Sequence, residues 1–396
     1  MGEFDDAIRF EHCKYRGCVL SGAGHIRASR RRWHPWFVPP FAVSERLAGR
    51  RCLAMKALAQ RSGLTTVMTR RIEGFEELTD AVHGAQIDVL QLERGRLRGH
   101  LTHMIVDGMP LSVGAFSIGV RTRGVLSDDR VTIGMLTGRT NRVTHWSHEM
   151  QPGDVLVIPP GDALDERYHG GASYAAVSLD QADIASIFGT ERRLLELGSA
   201  PKTHYRADLH GGEFVLRRLR EVVSRLEDTR SVWSTDAAAF WKRSIIEIMT
   251  AAILSNEPAD EDDAAMLSAR RIVGKVENYL DACGSRPVHI SEICCEVHVS
   301  RRTLHRAFHD AIGIGPVAFL RCRRLCSVHS VLRSSDPAAT TIADVALDQG
   351  FPNPGRFSGY YHQLFDEYPS ETLENFAVST AARNYLTKGG TVLWPR

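Results

Sequence analysis

One stretch decides the fold of the C-terminal part of this chain: Val299-Ser300-Arg301-Arg302-Thr303-Leu304-His305-Arg306-Ala307-Phe308. Ser300 is a favoured N-cap residue, and its position predicts a helix over residues 301–311. Leu304 and Phe308 are four residues apart and therefore share one face of that helix, which we predict to be buried. The stretch thus indicates an amphipathic helix with a defined start.

A second, shorter helix is predicted just upstream, over residues 290–297, followed by a tight turn at His298-Val299. Gly313 ends the longer helix in the way that a left-handed cap requires. The polar side chains of the longer helix point away from its apolar face; they are Arg301, Arg302, His305 and Arg306. Two helices joined in this way form a helix-turn-helix unit, whose second helix fits the major groove, where Arg can donate to guanine.

A similar pattern follows further along the chain. Pro316 opens a long helix that extends to about Leu332, and Thr341 to Asp344 has the form of a capping box at the start of another helix. Gly350 turns the chain, Phe351 fills the core, and Asn353 to Phe365 gives a second exposed helix. The long helix could hold the two exposed helices about 34 Å apart, which is one turn of duplex.

The apolar positions of these helices predict their buried faces. In the long helix we expect burial of Val317, Leu320, Leu325, Val328, Val331 and Leu332, and exposure of Arg321, Arg323 and Arg324. In the second exposed helix the predicted apolar side chains are Phe357, Tyr361, Leu364 and Phe365.

Residues from about 270 to 380 resemble the AraC/XylS-type transcription regulators, whose DNA-binding domain contains two helix-turn-helix units. The resemblance rests on Val299 to Phe308, Gly313, Pro316, Arg324-Leu325, Thr341 to Ala346, Gly350-Phe351, Arg356-Phe357-Ser358, Phe365 and Pro369-Ser370. It implies a sequence-specific DNA-binding regulator, an activator, with RNA polymerase and a small-molecule effector as further partners. No enzymatic activity and no cofactor is implied. The eight cysteines, which lack the C-x2-C spacing of a zinc site, favour a reduced, cytoplasmic protein.

The chain departs from the family pattern in its second unit. Asp366 stands where the family has Gly, so we expect strain at that turn. Tyr368 replaces the usual Ser or Thr before Pro369, and Pro354 and Gly355 open the second exposed helix. Gly359 lies where many members carry a basic residue. These departures predict that the first unit reads bases directly and that the second mainly contacts phosphates.

The predicted DNA contacts are Ser300, Arg301, Arg302, Thr303, His305 and Arg306 in the first unit and Asn353, Arg356 and Ser358 in the second. The alternative interpretation is that these residues form a solvated helix face or pair with a neighbouring acid. Arg321 and Arg324 are expected to contact the DNA backbone or to serve structural roles.

Upstream, residues 75–178 consist of short strands broken by turns, a pattern typical of an all-β sandwich or barrel. The expected strands are 87–93, 97–106, 111–120, 131–136, 155–158 and 174–177. The turn Pro152-Gly153-Asp154 resembles that of cupin barrels. The fold class is therefore predicted as α+β: a cupin-like β-rich sensor domain, a helical middle segment and an all-α C-terminal domain with two helix-turn-helix units.

Histidines in this region raise the alternative of a cupin-type metalloenzyme with an accessory helical domain. The candidate ligands are His145, His148, Glu149 and His169. Side chains alternate along a strand, so the three-residue step from His145 to His148 does not place both rings on one face, and His100 with His103 fails likewise. We therefore predict no metal site and no catalytic residue.

Two helices are expected in the middle segment, over residues 213–227 and 236–254. In the first, Phe214, Val215, Leu219, Val222, Val223 and Leu226 form the predicted apolar stripe. In the second, the run Ile245-Ile246-Glu247-Ile248-Met249 suggests burial against a neighbouring element or a second subunit, and so a homodimer.

Charge and composition set the remaining boundaries. Residues 1–68 carry 12 Lys/Arg against 5 Asp/Glu, residues 69–263 carry 22 against 30, and residues 264–396 carry 15 against 12.

Domains are predicted at 1–68 (a basic disordered extension, or a basic arm on DNA), 69–180 (sensor), 181–256 (helical segment), 257–264 (acidic linker), 265–380 (DNA-binding domain) and 381–396 (tail). No apolar run approaches the roughly 20 residues of a membrane span.

Overall fold

The computed structural model describes residues 66–145, 148–189, 203–227, 234–256, 258–259 and 264–375, with residues 191, 194 and 197. Strands occupy the first part of this range and helices dominate after it, which confirms the predicted α+β architecture. The extension over 1–68, apart from its last three residues, and the tail over 381–396 lie outside the described residues. The domain boundaries stay predictions.

The strands are β1 (Thr66–Ile72), β2 (Gln86–Gln91), β3 (Gly99–Val106), β4 (Met109–Phe116), β5 (Val120–Val125), β6 (Val131–Arg139), β7 (Val143–His145), β8 (His148–Met150), β9 (Val155–Ile158), β10 (Ala163–Tyr168), β11 (Ala172–Leu179) and β12 (Thr203–Tyr205). A short 3-10 helix spans Phe75–Leu78. The α-helices are α1 (Gln181–Phe188), α2 (Leu209–Glu227), α3 (Thr235–Ser255), α4 (Ala264–Cys283), α5 (Ile290–Glu296), α6 (Arg301–Ile312), α7 (Pro316–Ser334), α8 (Ile342–Asp348) and α9 (Pro354–Phe365). Within the described ranges no helix has both the length and the apolar character that crossing a bilayer requires.

The strands form two antiparallel sheets that face each other. The larger has the order β1-β3-β4-β11-β6-β9-β12 and the smaller the order β2-β5-β10-β7-β8. Apolar side chains from both inner faces, including Leu156 and Leu164, share one core. The pairing is therefore that of a β-sandwich whose interior lies between the sheets.

The larger sheet is buried on its outer face as well. Met104, Ile133 and Val155 point outward from it and pack against helices α2 and α3. The apolar run Ile245 to Met249 of α3 is part of this layer, and its three isoleucines and Met249 are each at most 3% exposed. Of the two interpretations of this run, burial against a neighbouring element of the same chain is the one observed.

Two sequence-based expectations about strands and helices are wrong. The strand predicted over 111–120 is split, because the chain leaves the larger sheet after Phe116 and enters the smaller one at Val120 as β5. Phe214 is 50% exposed instead of buried, since α2 begins at Leu209 and turns Leu216 and Leu219 toward the core. The guanidinium groups of Arg217 and Arg218 lie over the Phe214 ring, 5.6 and 5.7 Å from its centroid.

Helix α7 contributes to two cores, of which the second is continuous with the interior of the sandwich. Its first half contributes Phe319 and Leu320 to a core with Leu304 and Phe308 of α6. Its second half contributes Val328 and Leu332, among others, to a core with the apolar side of α9. Val317 was expected to be buried but is 64% exposed, because Phe319 occupies the core position in the first turns of α7.

A buried ion pair joins the β-rich part to the helical part. Arg121 of β5 donates to both carboxylate oxygens of Asp165, at 3.0 and 2.8 Å, and also pairs with Glu277 of α4. The side chains of Arg121 and Glu277 are 6% and 7% exposed. A charge this deeply buried is stable only while its partners remain, so this pair fixes where α4 lies on the sheet.

Replacing Glu277 by Ala should therefore destabilise the chain by about 3–5 kcal/mol, because Arg121 is left buried with one partner fewer. Urea denaturation of the full chain measures this change. Glu149→Ala is the matched control, since Glu149 pairs with Arg139 at 2.7 Å but its side chain is 43% exposed. We expect that control to cost less than about 1 kcal/mol. Equal losses in the two variants would contradict the assignment.

Candidate nucleic-acid interface

The turn of the first helix-turn-helix unit is defined by its backbone. His298 has a left-handed φ of 55°, and Ser300 follows in extended conformation at the N-cap of α6. The Ser300 hydroxyl accepts a hydrogen bond from the backbone N–H of Thr303 at 3.1 Å. At the other end Gly313 has φ 82°, and its N–H donates to the carbonyl of His309. The predicted cap and stop of this helix are confirmed, and α6 ends one residue later than expected.

Helix α6 divides into a buried and an open face. Leu304 and Phe308 are fully buried, and the Phe308 ring packs edge-on against Phe319 at 5.2 Å. All the residues predicted to contact DNA in this unit are exposed: Ser300, Arg301, Arg302, Thr303, His305 and Arg306. The helix therefore presents a cationic, hydrogen-bonding surface that is held rigid from behind.

The charges of this face are little engaged by the protein itself. Arg306 Nε lies 3.5 Å from Asp310 Oδ2 on the next turn, with both side chains largely in solvent. Arg301 and Arg302 form no ion pair among the described residues. The His305 ring lies against the backbone of Gly315. A Cβ placed on this glycine would lie 2.9 Å from His305 Nε2. Two arginines without an ion pair and a third in a loose one are thus available for a phosphate or a base edge.

The second unit is built from α8, a turn at Gly350 with φ 78°, and α9. Asn353 caps α9, since its Oδ1 accepts from the N–H of Arg356 at 2.9 Å. Thr341, by contrast, makes no side-chain hydrogen bond at the start of α8, so the expected capping box is not formed. Asn353 and Arg356 are exposed and Ser358 is half-buried. This unit offers one arginine where the first offers three.

The arginines of α7 are engaged within the chain. The Arg321 guanidinium lies 4.6 Å from the centroid of the Tyr360 ring. Arg323 pairs with Asp281 at 2.7 Å, and Arg324 donates to the Val288 carbonyl at 2.6 Å. These contacts tie α7 to α9, to α4 and to the segment before α5, which supports structural roles for Arg321 and Arg324.

Contacts between the second unit and the β-rich part were missed by sequence reasoning. The Leu364 carbonyl near the end of α9 accepts from Gln91 Nε2 at 2.8 Å and from the N–H of Gly95 at 2.9 Å. Cys326 Sγ lies 3.7 Å from the Gln91 carbonyl. The sequence carries no signal for this contact, because only the structure shows that Gln91 is buried and so needs partners.

The histidines considered as metal ligands are dispersed. His103 is buried against Ser112 at 3.0 Å, while His100 is exposed. Glu149 pairs with Arg139, and His145 Nδ1 lies 3.9 Å from Glu166. No group of three possible ligands converges in the part of the chain that the structure describes.

Comparison with known proteins points in the same direction as the geometry. A family model described as a helix-turn-helix domain matches residues 293–375. The chain is 26% identical over 290 residues to "XylDLEGF operon transcriptional activator 1" of Pseudomonas putida, covering 70% of this chain and 85% of that one. It is 33% identical over 102 residues to "Probable thc operon regulatory protein" of Rhodococcus erythropolis, covering 26% of this chain and 31% of that one.

Among solved structures, a probable AraC family transcriptional regulator from Rhodopseudomonas palustris is 36% identical, with a TM-score of 0.25. The match covers 27% of this chain and 97% of that one.

One strained residue in the second unit provides a test of its geometry. Asp366 caps α9 with φ 56° and ψ 31°, a left-handed conformation that costs a non-glycine residue energy. Asp366→Gly should raise the free energy of unfolding by about 0.5–1 kcal/mol. Thermal unfolding measures the gain. As a control, Asp348→Gly in helix α8 should lower stability; a loss at both positions would contradict the strain at Asp366.

Proposed function

On the premise that this chain belongs to the AraC/XylS-type family of transcription regulators, we propose that α6 and α9 enter successive major-groove segments of double-stranded DNA. The chain is a sequence-specific DNA-binding transcription regulator, and we infer that it activates transcription, as do the relatives named as transcriptional activators. One observation carries the proposal: α6 is capped, buried on one face, and open on the face that holds Arg301, Arg302 and Arg306.

We propose that the first unit reads base edges and that the second mainly contacts phosphates. Arg302 and Arg306 would donate to base edges in the major groove, where Arg can bind guanine bidentately. Ser300, Arg301, Thr303 and His305 would position the helix on phosphates or bases beside them. In the second unit, Arg356 would contact a phosphate, while Asn353, already engaged as a cap, and Ser358 would add polar contacts. The larger number of open arginines on α6 supports this division.

The remaining partners also belong to the proposal. An activator has to engage the transcription machinery, and RNA polymerase is the partner we expect, in the cytoplasm. A small-molecule effector would bind the β-rich domain. The proposal assigns no reaction to the chain, and the family does not favour the alternative of a cupin-type metalloenzyme.

Arg302→Ala and Arg306→Ala should each weaken specific binding by about 1–3 kcal/mol, because each removes a bidentate donor. A salt-titrated mobility-shift assay, with the upstream region of the chain's own gene and with unrelated DNA, separates specific from non-specific binding. Arg323→Ala is the matched control, since Arg323 is paired with Asp281. Full affinity and full site preference in the double variant would defeat the assignment to Arg302 and Arg306.

We also propose a homodimer, but its interface is formed by other residues of α3 than the sequence predicted. The isoleucines of α3 are buried inside the chain, whereas Phe240 and Leu254 of the same helix are 62% and 42% exposed. A second copy that covers this surface would bury both side chains. Sedimentation at micromolar concentration should then give a dimer mass, and Phe240→Glu should give a monomer. A monomer for the unchanged chain would rule the dimer out.

A further inference from the structure

The two sheets of the β-rich domain enclose a cavity with about 70 Å³ of space for the centre of a water-sized sphere. One water molecule needs roughly 10–15 Å³ on this measure, so the cavity has room for a small molecule. Its wall is mainly hydrocarbon and comes from both sheets, for instance from Leu156 and Leu164. Such a wall favours an apolar occupant, because burying apolar surface is the main favourable term available there.

Polar groups gather at one part of this wall. Glu166 and Tyr168 of β10 both line the cavity, and the Tyr168 hydroxyl donates to Glu166 Oε2. Thr122, on the neighbouring strand β5, also lines it, and its buried hydroxyl has no hydrogen-bond partner among the described residues. A buried hydroxyl in this state costs free energy until a partner arrives.

Charge decides which kind of molecule fits. Burial raises the pKa of Glu166 to about 7, so a large fraction of this carboxyl is neutral at pH 7 and can donate as well as accept. None of the described residues that line the cavity is Lys, Arg or His. His145 Nδ1 lies 3.9 Å from Glu166 but is not part of the lining. Within the lining, an anionic ligand would therefore meet a carboxyl and no cation, and an ammonium ligand would bury a charge pair in a hydrocarbon wall, which is costly.

One segment of the wall also holds the DNA-binding half. Leu78, Ala81 and Val82 line the cavity, and Tyr174 from the opposite sheet donates to the Ala81 carbonyl at 2.6 Å. The other side of the same segment carries Phe75, whose ring centroid lies 5.4 Å from His329 of α7 and 6.1 Å from Phe365 of α9.

Charged contacts reinforce this attachment. Glu76 Oε1 lies 2.6 Å from His329 Nδ1 and 3.1 Å from the Ser330 hydroxyl. Glu77 pairs with Arg333 at 3.0 Å. His329 is buried, and its Nε2 lies 3.2 Å from Glu367, just beyond α9. Residues 75–82 thus touch the cavity on one side and both α7 and the end of α9 on the other.

We propose that the cavity binds a neutral, mainly apolar small molecule with one hydrogen-bonding end group held by Glu166 and Thr122, and that residues 75–82 transmit its presence to the second helix-turn-helix unit. The transmission rests on the proposed function; the ligand class does not. Binding shifts the population of positions that the second unit adopts, because the ligand contacts the same segment that clamps it.

A matched pair of probes tests the ligand class. Calorimetric titration of the full chain at pH 7 compares 2-naphthol, which is neutral, with 2-naphthoate, which is an anion of similar size. We expect 2-naphthol to bind at least about tenfold more tightly. Glu166→Gln should reduce the ratio of the dissociation constants of 2-naphthoate and 2-naphthol, because it removes the negative charge that repels the anion. Glu149→Gln, outside the cavity, should leave this ratio unchanged. Unfolding curves of both variants establish that they fold.

Two outcomes overturn the assignment of the ligand. Preference for 2-naphthoate, or for the cation 2-naphthylmethylammonium, contradicts the neutral class. Absence of binding by all three probes at millimolar concentration contradicts a small-molecule site. Neither measurement involves DNA. The ligand class can therefore be established even if the chain does not bind DNA, and failure of the ligand proposal does not affect the test of DNA binding.

Hydrogen–deuterium exchange tests the transmission. Bound 2-naphthol should change exchange in residues 75–85 and in 325–334 and 361–367, and leave α5 and α6 unchanged. In the variant Glu76→Gln, the ligand-induced change in exchange should persist in residues 75–85. It should be lost in residues 325–334, because the charged contact from Glu76 to His329 is removed. A change confined to the β-rich domain of the unaltered chain would overturn the transmission while leaving the site itself in place.

Discussion

The position of both recognition helices depends on α7, each half of which is anchored in a core. Phe319 and Leu320 anchor its first half in the core behind α6, and Val328 and Leu332 anchor its second half in the core behind α9. The 19 residues of α7 span about 28 Å at 1.5 Å per residue. Because a continuous helix is stiff, it imposes a nearly fixed separation on the two units, and the exposed face of each can be specialised independently.

The two units are supported from behind in different ways. The first is completed by α4 and α5, and its core contains Leu92 as the contribution of the β-rich part. The second shares its core with the β-rich domain, and its Leu364 carbonyl is held by Gln91 and Gly95. Under the proposed transmission, changes inside the sandwich would therefore act more directly on α9 than on α6. The unit with fewer open arginines is also the unit that shares its core with the β-rich domain.

Charge placement separates attachment from recognition. The buried side chains of Arg121 and His329 face acids across the boundary between the two halves, which makes that boundary specific in register. The arginines of α6 lie in solvent and form at most a loose pair with Asp310. Cations with buried acidic partners thus determine the architecture, and cations without them remain available to a polyanion.

The sequence by itself determined the local features: the Ser300 cap, the Leu304 and Phe308 face, the Gly313 stop, and the left-handed turn that Asp366 has to adopt. These follow from hydrogen bonds and spacings within one helix turn, which the chain carries regardless of its surroundings. Only the tertiary structure decided that Phe214 and Val317 are exposed, that Thr341 makes no cap, and that the isoleucines of α3 are covered by the chain's own sheet. It also decided that Glu166 lines a cavity. The strand of Glu166 has three consecutive charged residues, so its sequence does not show which side chains face inward. Those outcomes depend on which elements meet, and contacts between residues far apart in the chain leave no periodic trace in the sequence.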